Sequence, residues 1–294
     1  GDILNNAAEA SLSIKEEFEE QGYIEVPDAL TAQQTERLVA AIDKLTARAP
    51  DRIHNVADIF GKHDAFLELL DLPTVLPTVM ELLGKNIWVN HSHFNANPAT
   101  EERDITAFNN GYGWHRDGGA IHQDLPWPPP LLALKVGYYL TDLTRPGSGQ
   151  TYFVRDSHKT GEMAPGKNEL PDSAFPMSVK AGTAVLFDRR LIHSIRSANY
   201  SGAKRRVIFV QYAFRWMAAN DAMNVKHLGK KLNPVQQQLL GLTTSIMTVD
   251  GAEGRSGRYY PSKAELPLAH PDDFQSRSRL RSLARSLLQP FKRF

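Results

Sequence analysis

The sequence predicts a mainly β protein with flanking α-helices, a jelly roll or sandwich that carries its helices on the outside. Three observations lead there. Apolar residues recur at helical spacing through the first 85 positions; from residue 86 the period drops to two in short segments rich in β-branched and aromatic residues; and clusters of turn-formers separate those segments. No internal repeat interrupts the pattern.

In chain order, Ser13 to Glu20 is acidic with Ile14 and Phe18 four apart, as on one helical face, and Gly22 stops that helix. Tyr23 to Val26 is a short extended piece ending at Pro27. Thr31-Ala32-Gln33-Gln34 fits a capping box ahead of a helix whose stripe is Leu38, Ala41, Ile42 and Leu45. Phe66, Leu67 and Leu70, then Val75 to Leu83 closed by Gly84, predict two further helical stretches. Strands are expected at Ile87 to Phe94, Ala133 to Leu140, Thr151 to Val154, Thr183 to Phe187 and Arg206 to Phe214. From Phe274 onward, Leu280, Leu283, Ala284, Leu287 and Leu288 share one helical face among interleaved arginines. That predicts a last helix packed on the domain or on a second copy, with an interfacial or anion-binding helix as the alternative. The whole reads as one domain over 1–294: a helical lead-in at 1–85, a jelly-roll core at 86–217 and a helical C-terminal extension at 218–294.

Composition removes several classes. Lys plus Arg number 34 against 33 for Asp plus Glu, so the chain as a whole has no electrostatic footprint for nucleic acid. Without cysteine there is no disulfide framework, thiolate nucleophile or cysteine-held metal, so any metal falls to His, Asp or Glu. No apolar run approaches the roughly 20 residues of a membrane span. The opening Gly1 to Asn5 lacks the basic and apolar regions of a signal peptide, and a cytoplasmic protein is expected.

The chemistry concentrates in Gly113-Trp114-His115-Arg116-Asp117-Gly118-Gly119. In an extended segment residues two apart project from the same face, so His115 and Asp117 can present an imidazole and a carboxylate to one point. A third ligand is needed from elsewhere, and His193, just past the apolar strand ending in Phe187-Asp188, fits. Two imidazoles and one carboxylate with open positions opposite form the facial triad of non-haem Fe(II) oxygenases, although three-ligand zinc sites also exist. A cosubstrate with a free carboxylate would need a buried arginine. Lys204-Arg205-Arg206 opens the last strand, and by alternation only one of Arg205 and Arg206 can face the interior. Lys135 shares the face of Tyr139; turned inward, it would need an anion, which substrate or that cosubstrate would supply. His91 and His93 could act as a His-x-His pair but lack a carboxylate nearby in sequence, so a packed or substrate-facing place suits them better. Trp127 with Pro128, Pro129 and Pro130 reads as a stiff loop over the barrel rim, or as a lid wall.

Three segments in order resemble the phytanoyl-CoA dioxygenase family of Fe(II)- and 2-oxoglutarate-dependent oxygenases over about residues 15–217. They are Trp114 to Asp117; Tyr138 to Asp142 on through Gly149 to Lys159; and Gly182 to Asp188 with His193 and Arg205 to Ile208. The resemblance implies a double-stranded β-helix (a cupin-like jelly roll) and Fe(II) held by His115, Asp117 and His193. It implies a 2-oxoglutarate carboxylate on Arg205, with Arg206 the alternative, and cosubstrate contacts from Thr151, His91 and Asn95. Dioxygen would be the oxidant, succinate and carbon dioxide the co-products, and ascorbate a stimulant in vitro. Asp117 is present where halogenating relatives leave a vacancy for chloride, so halogenation is not expected. Where many members read Pro-Gly-Ser-His, this chain reads Arg155-Asp156-Ser157-His158, so that turn is expected to be built differently.

The expected function is therefore oxidation of a small organic molecule, by hydroxylation or by desaturation, cyclisation or rearrangement, on a substrate such as a natural-product intermediate. Two other classes stay open from residues alone: a jelly-roll metal enzyme without oxygen chemistry, such as an isomerase or hydrolase, and a non-catalytic 2-oxoglutarate-binding protein. A homodimer through the helical extensions is the expected assembly.

Overall fold

The structure, a computed structural model, describes residues 12–101, 111–118, 125–194, 198–243 and 266–270. Helix α1 (Ile14–Gln21) starts at a reciprocal capping box between Ser13 and Glu16 and ends where Gly22 takes a left-handed φ of 79°. Strand β1 (Tyr23–Val26) follows. Helix α2 (Ala32–Thr46) opens on the expected Thr31–Gln34 box and buries Leu38, Ala41 and Ile42. Leu45, assigned to the same stripe, stands 37% exposed at its rim.

Two pieces of the lead-in differ from expectation. His54–Ala57 is a strand, β2, with a pattern of half-buried and exposed residues whose only large apolar member is Val56; its pairing with β3 makes it a strand, which local sequence does not announce. Phe66 and its neighbours form a 3-10 helix (Asp64–Leu69) rather than an α-helix. Helix α3 (Leu76–Leu83) has Pro77 in its first turn and stops at Gly84.

The remaining strands are β3 (Ile87–Asn97), β4 (Trp114–His115), β5 (Ala133–Tyr139), β6 (Tyr152–Val154), β7 (Ala174–Pro176), β8 (Ala184–Asp188), β9 (His193–Ser194) and β10 (Arg205–Phe214). They form two antiparallel sheets, a six-stranded one in the order β1-β8-β5-β10-β3-β2 and a four-stranded one in the order β4-β9-β6-β7. This is the jelly roll. The lead-in is more than helical: β1 and β2 are the two outer strands of the larger sheet.

Alternation along β10 divides the interior. Val207 and Phe209 join Tyr139, Phe153, Val185 and Phe187 between the two sheets. Ile208, Val210 and Tyr212 pack instead on the opposite face, against the helical layer of Leu38, Ile42, Phe66 and Val79. Both faces of the larger sheet are covered, which explains why β5 and β8 read as nearly unbroken apolar runs, interrupted only by residues such as Lys135 and Asp188. After β10 the described chain holds short helices only: 3-10 turns at Lys226–Leu228 and Pro267–Ala269, and α4 (Pro234–Leu239) with an Asn233–Gln236 capping box. The arginine- and leucine-rich helix expected from Phe274, and with it the dimer through the extensions, lies outside the described residues. Among the described residues no helix is long and apolar enough to cross a membrane.

Candidate metal centre

Strands β4 and β9 pair so that His115 lies directly opposite His193. The backbone ladder thus brings together two side chains 78 positions apart in sequence, with ring centroids 4.2 Å from each other. Asp117 follows two residues after His115, at a turn where Gly118 has φ 93° and the Asp117 N–H donates to the Arg189 carbonyl. One ligand atom from each of His115, Asp117 and His193 falls within 4.8 Å of the others. Asp117 has one oxygen 3.9 Å from His115 Nε2 and the other 3.9 Å from His193 Nε2. Separations of that size suit groups that share a cation rather than bond one another.

The outer nitrogens fix the rings. His115 Nδ1 lies 2.9 Å from the Gly113 carbonyl, and His193 Nδ1 lies 2.9 Å from the Leu191 carbonyl. A carbonyl only accepts, so each Nδ1 carries the proton and each Nε2 keeps its lone pair for a metal. Burial, reinforced by the neighbouring His115, lowers the His193 pKa to about 3, which keeps this ring neutral. Burial alone would raise the Asp117 pKa, but Lys135, His193 and His115 together outweigh it and hold the group below the ordinary carboxylate range. Two imidazoles that turn Nε2 to one point, with an ionised carboxylate beside them, are the donor set that a divalent first-row cation prefers.

Lys135, on β5, is turned inward and buried, with Nζ 2.7 Å from an Asp117 oxygen. The anion that a buried lysine requires is thus Asp117 itself.

A cavity beside His193 is lined by His93, Asn95, Lys135, Thr151, Phe187, His193, Arg205 and Phe209. Arg205 is the charged group on it that lacks an acidic partner among the described residues. Its guanidinium is buried, donates from Nη2 to Thr151 Oγ1 at 3.2 Å, leaves Nε without a partner, and has no carboxylate within ion-pair distance among the described residues. Tyr139 donates its hydroxyl to the same Thr151 oxygen at 3.1 Å. Gly149, at φ 83°, gives the Arg205 stem room: a Cβ there would lie 2.6 Å from Arg205 Cδ. Arg206 points the other way and grips Asp43 of α2 through Nε and Nη2 at 2.7 to 2.9 Å. The two arginines are thereby separated: one is inside and unpaired, the other outside and satisfied.

Of the other residues singled out in the sequence, Thr151 and Asn95 line the cavity. His91 does not; it sits one step further along the inward row of β3, bound to Asp221, and His93 takes the lining position. Asp221 gave no signal in the sequence, because its partner His91 lies 130 positions away in another strand. Arg116 stacks on Trp127 at 4.7 Å and donates to the backbone carbonyls of Arg190, Ser157 and Thr160, tying the rim loop down. In the variant turn, Asp156 adopts φ 58° and Ser157 Oγ bonds Val154 and Ile192. His158 packs over Gly22 and contacts the Glu19 carbonyl, a structural tie to α1. His122 and Gly119 lie outside the described residues.

A jelly roll that gathers two imidazoles and a carboxylate beside a cavity, with a buried guanidinium on the same cavity that has no acidic partner among the described residues, has the architecture of the metal- and 2-oxoglutarate-dependent oxygenases. The chain belongs to the phytanoyl-CoA dioxygenase (PhyH) family, whose model matches residues 18–207. Among solved structures it is similar to HygX from Streptomyces hygroscopicus with nickel and 2-oxoglutarate bound, at 15% identity and TM-score 0.52 over 70% of this chain and 90% of HygX. It is also similar to SnoK, the non-haem α-ketoglutarate-dependent carbocyclase from nogalamycin biosynthesis, at 18% identity and TM-score 0.52 over 72% of this chain and 88% of SnoK. HygX has also been solved with nickel, 2-oxoglutarate and hygromycin B, at 14% identity and TM-score 0.51 over 70% of this chain and 90% of that one. No curated protein matches the sequence.

Proposed function

We propose that the protein is a non-haem iron dioxygenase that couples oxidation of a small organic molecule to the decarboxylation of 2-oxoglutarate. The observation that carries this reading is Arg205: a buried, permanently charged guanidinium with no carboxylate within ion-pair distance among the described residues, lining the same cavity as His193 of the His115, Asp117 and His193 group. In this reading His115 and His193 hold the metal through Nε2 and Asp117 holds it through one carboxylate oxygen. When bound, iron and 2-oxoglutarate supply the oxidising power, releasing succinate and carbon dioxide.

The chain's own residues bind, orient and exclude water. Arg205 and Thr151 take the far carboxylate of the cosubstrate, with Thr151 itself oriented by Tyr139. Phe187 and Phe209 form apolar walls along the path, and Asn95 offers an amide to it. Lys135 occupies one oxygen of Asp117, and the other would hold the metal. Hydroxylation is the default outcome; desaturation, cyclisation or rearrangement needs only a different placement of the substrate. HygX with its bound hygromycin B and SnoK from nogalamycin biosynthesis support a natural-product-like substrate.

Purified protein given Fe(II), ascorbate and 2-oxoglutarate under air is expected to form succinate slowly without substrate. His115→Ala is expected to lose both that succinate and the absorption band of the anaerobic iron–2-oxoglutarate complex. An intact protein that binds metal but neither produces the band nor binds 2-oxoglutarate by calorimetry would return the reading to a metal enzyme without oxygen chemistry.

A further inference from the structure

Three polar side chains unused in the reading above form a continuous hydrogen-bonded chain into the cavity. Asp221, just after β10, has a side chain only 2% exposed. One of its oxygens lies 2.6 Å from His91 Nδ1; the other accepts the Ser92 N–H at 2.7 Å and the Ser92 hydroxyl at 3.0 Å. His91 Nε2 lies 3.1 Å from His93 Nδ1. The His93 ring stacks on Phe209, with centroids 5.0 Å apart, and lines the cavity beside Lys135 and His193.

The order of donors and acceptors follows from chemistry. A carboxylate only accepts, so the proton at the first contact sits on His91 Nδ1. With its one ring proton given to Asp221, His91 offers the Nε2 lone pair to the proton of His93 Nδ1. That leaves a lone pair on His93 Nε2, the remaining polar atom of a cavity-lining ring. No partner for it occurs among the described residues. Burial, with Lys135 and His91 alongside, holds the His93 pKa well below that of an ordinary histidine.

We propose that Asp221, acting through His91, sets His93 as a hydrogen-bond acceptor beside the metal centre, and that the substrate presents a hydroxyl or N–H donor there. Asp221 and His91 are positioning residues, and His93 makes the contact. The proposal rests on the oxygenase reading for what the cavity holds. A methylated analogue of the substrate would leave the His93 lone pair buried and unmatched, a loss of roughly ten- to a hundredfold in affinity.

The test uses zinc-loaded protein without 2-oxoglutarate, labelled with 15N-histidine, so that no turnover occurs, the cavity is free for a small probe and the ring nitrogens report their protons directly. In the wild type His91 and His93 are expected as Nδ1–H tautomers. Phenol is expected to move the His93 Nε2 resonance upfield, whereas anisole is not. In Asp221→Asn, and in His91→Phe, which keeps an aromatic ring in place, His93 is expected to mix tautomers and its phenol response to shrink. A wild-type His93 that is Nε2-protonated or cationic, equal responses to phenol and anisole, or no phenol response overturns the proposal. So does an Nε2 that is already hydrogen-bonded without phenol and freed by Lys135→Met. Succinate formation does not enter this readout: failure of the oxygenase reading appears in the turnover assay, and failure of the acceptor assignment in the spectrum.

Discussion

Replacing Arg205 and Arg206 one at a time separates two neighbouring guanidiniums with opposite duties. Arg205→Met keeps most of the buried stem but removes the charge that lines the cavity. Cutting one side of a buried carboxylate–guanidinium pair costs roughly 2–5 kcal/mol. At about 1.4 kcal/mol per factor of ten, the 2-oxoglutarate Kd should rise by roughly 30-fold to several thousandfold. Arg206→Met instead breaks the pair with Asp43, whose side chain is 42% exposed. Such a pair contributes about 0–1 kcal/mol to stability, and the 2-oxoglutarate Kd should stay within about twofold of the wild type. Stability should move the other way. Without cosubstrate Arg205 is a desolvated charge whose one side-chain hydrogen bond among the described residues is to Thr151, so Arg205→Met should leave the Tm of the ligand-free protein unchanged or raise it, while Arg206→Met lowers it slightly. Anaerobic calorimetry of 2-oxoglutarate on nickel-loaded protein measures the first quantity and calorimetric unfolding the second. Arg205→Met binding 2-oxoglutarate within about threefold of wild type, or both variants weakening it equally, would refute the assignment.

Further predictions concern acid stability, the Asp117 turn and the lead-in. His193 has a pKa near 3 when folded against an ordinary value of 6.5, so below pH 6.5 the unfolded chain takes up a proton that the native ring refuses. Stability of the metal-free protein should therefore fall with decreasing pH, by about 1.4 kcal/mol per pH unit from this residue, with Asp117 adding to the loss below its ordinary 3.8. Urea unfolding across that range should give a shallower slope for His193→Gln, and an unchanged slope would contradict the assigned burial. Gly118→Ala places a Cβ 1.7 Å from Arg189 Nη2 at φ 93°. The side chain can move aside but the backbone strain remains, at about 1 kcal/mol or more, and metal affinity measured by calorimetry should drop with it. Thr31→Ala removes the cap of α2 and should cost about 1 kcal/mol in thermal unfolding without changing metal affinity.

What could be read from the sequence follows the range of each interaction. Capping at Thr31, the stops at Gly22 and Gly84, and the long strands β5 and β10 depend on neighbours a few residues apart, and they fall where the periodicity puts them within a residue or so, while β3 starts where expected at Ile87 but runs three residues past Phe94 to Asn97. Strand β2 and the two-residue strands β4 and β9 exist only through their partners, and nothing local marks them as strands. The choice between Arg205 and Arg206 was a question of parity, which alternation poses but only a neighbour such as Asp43 can answer. Lys135 was visible as an inward lysine in need of an anion, whereas the identity of that anion as Asp117 depends on the closure of the barrel. Asp221 lay hidden because a carboxylate in a polar loop looks the same whether it faces water or a histidine.

The placement of β1 and β2 bears on any attempt to trim this protein. Each occupies one margin of the six-stranded sheet, so the peptide groups along the outer sides of β8 and β3 are sheathed by chain that precedes most of the barrel. A shortened version beginning at residue 86 would keep all three metal-facing side chains yet present two raw hems, each a template for a foreign strand. Such a truncation should precipitate as stacked copies rather than yield a minimal enzyme.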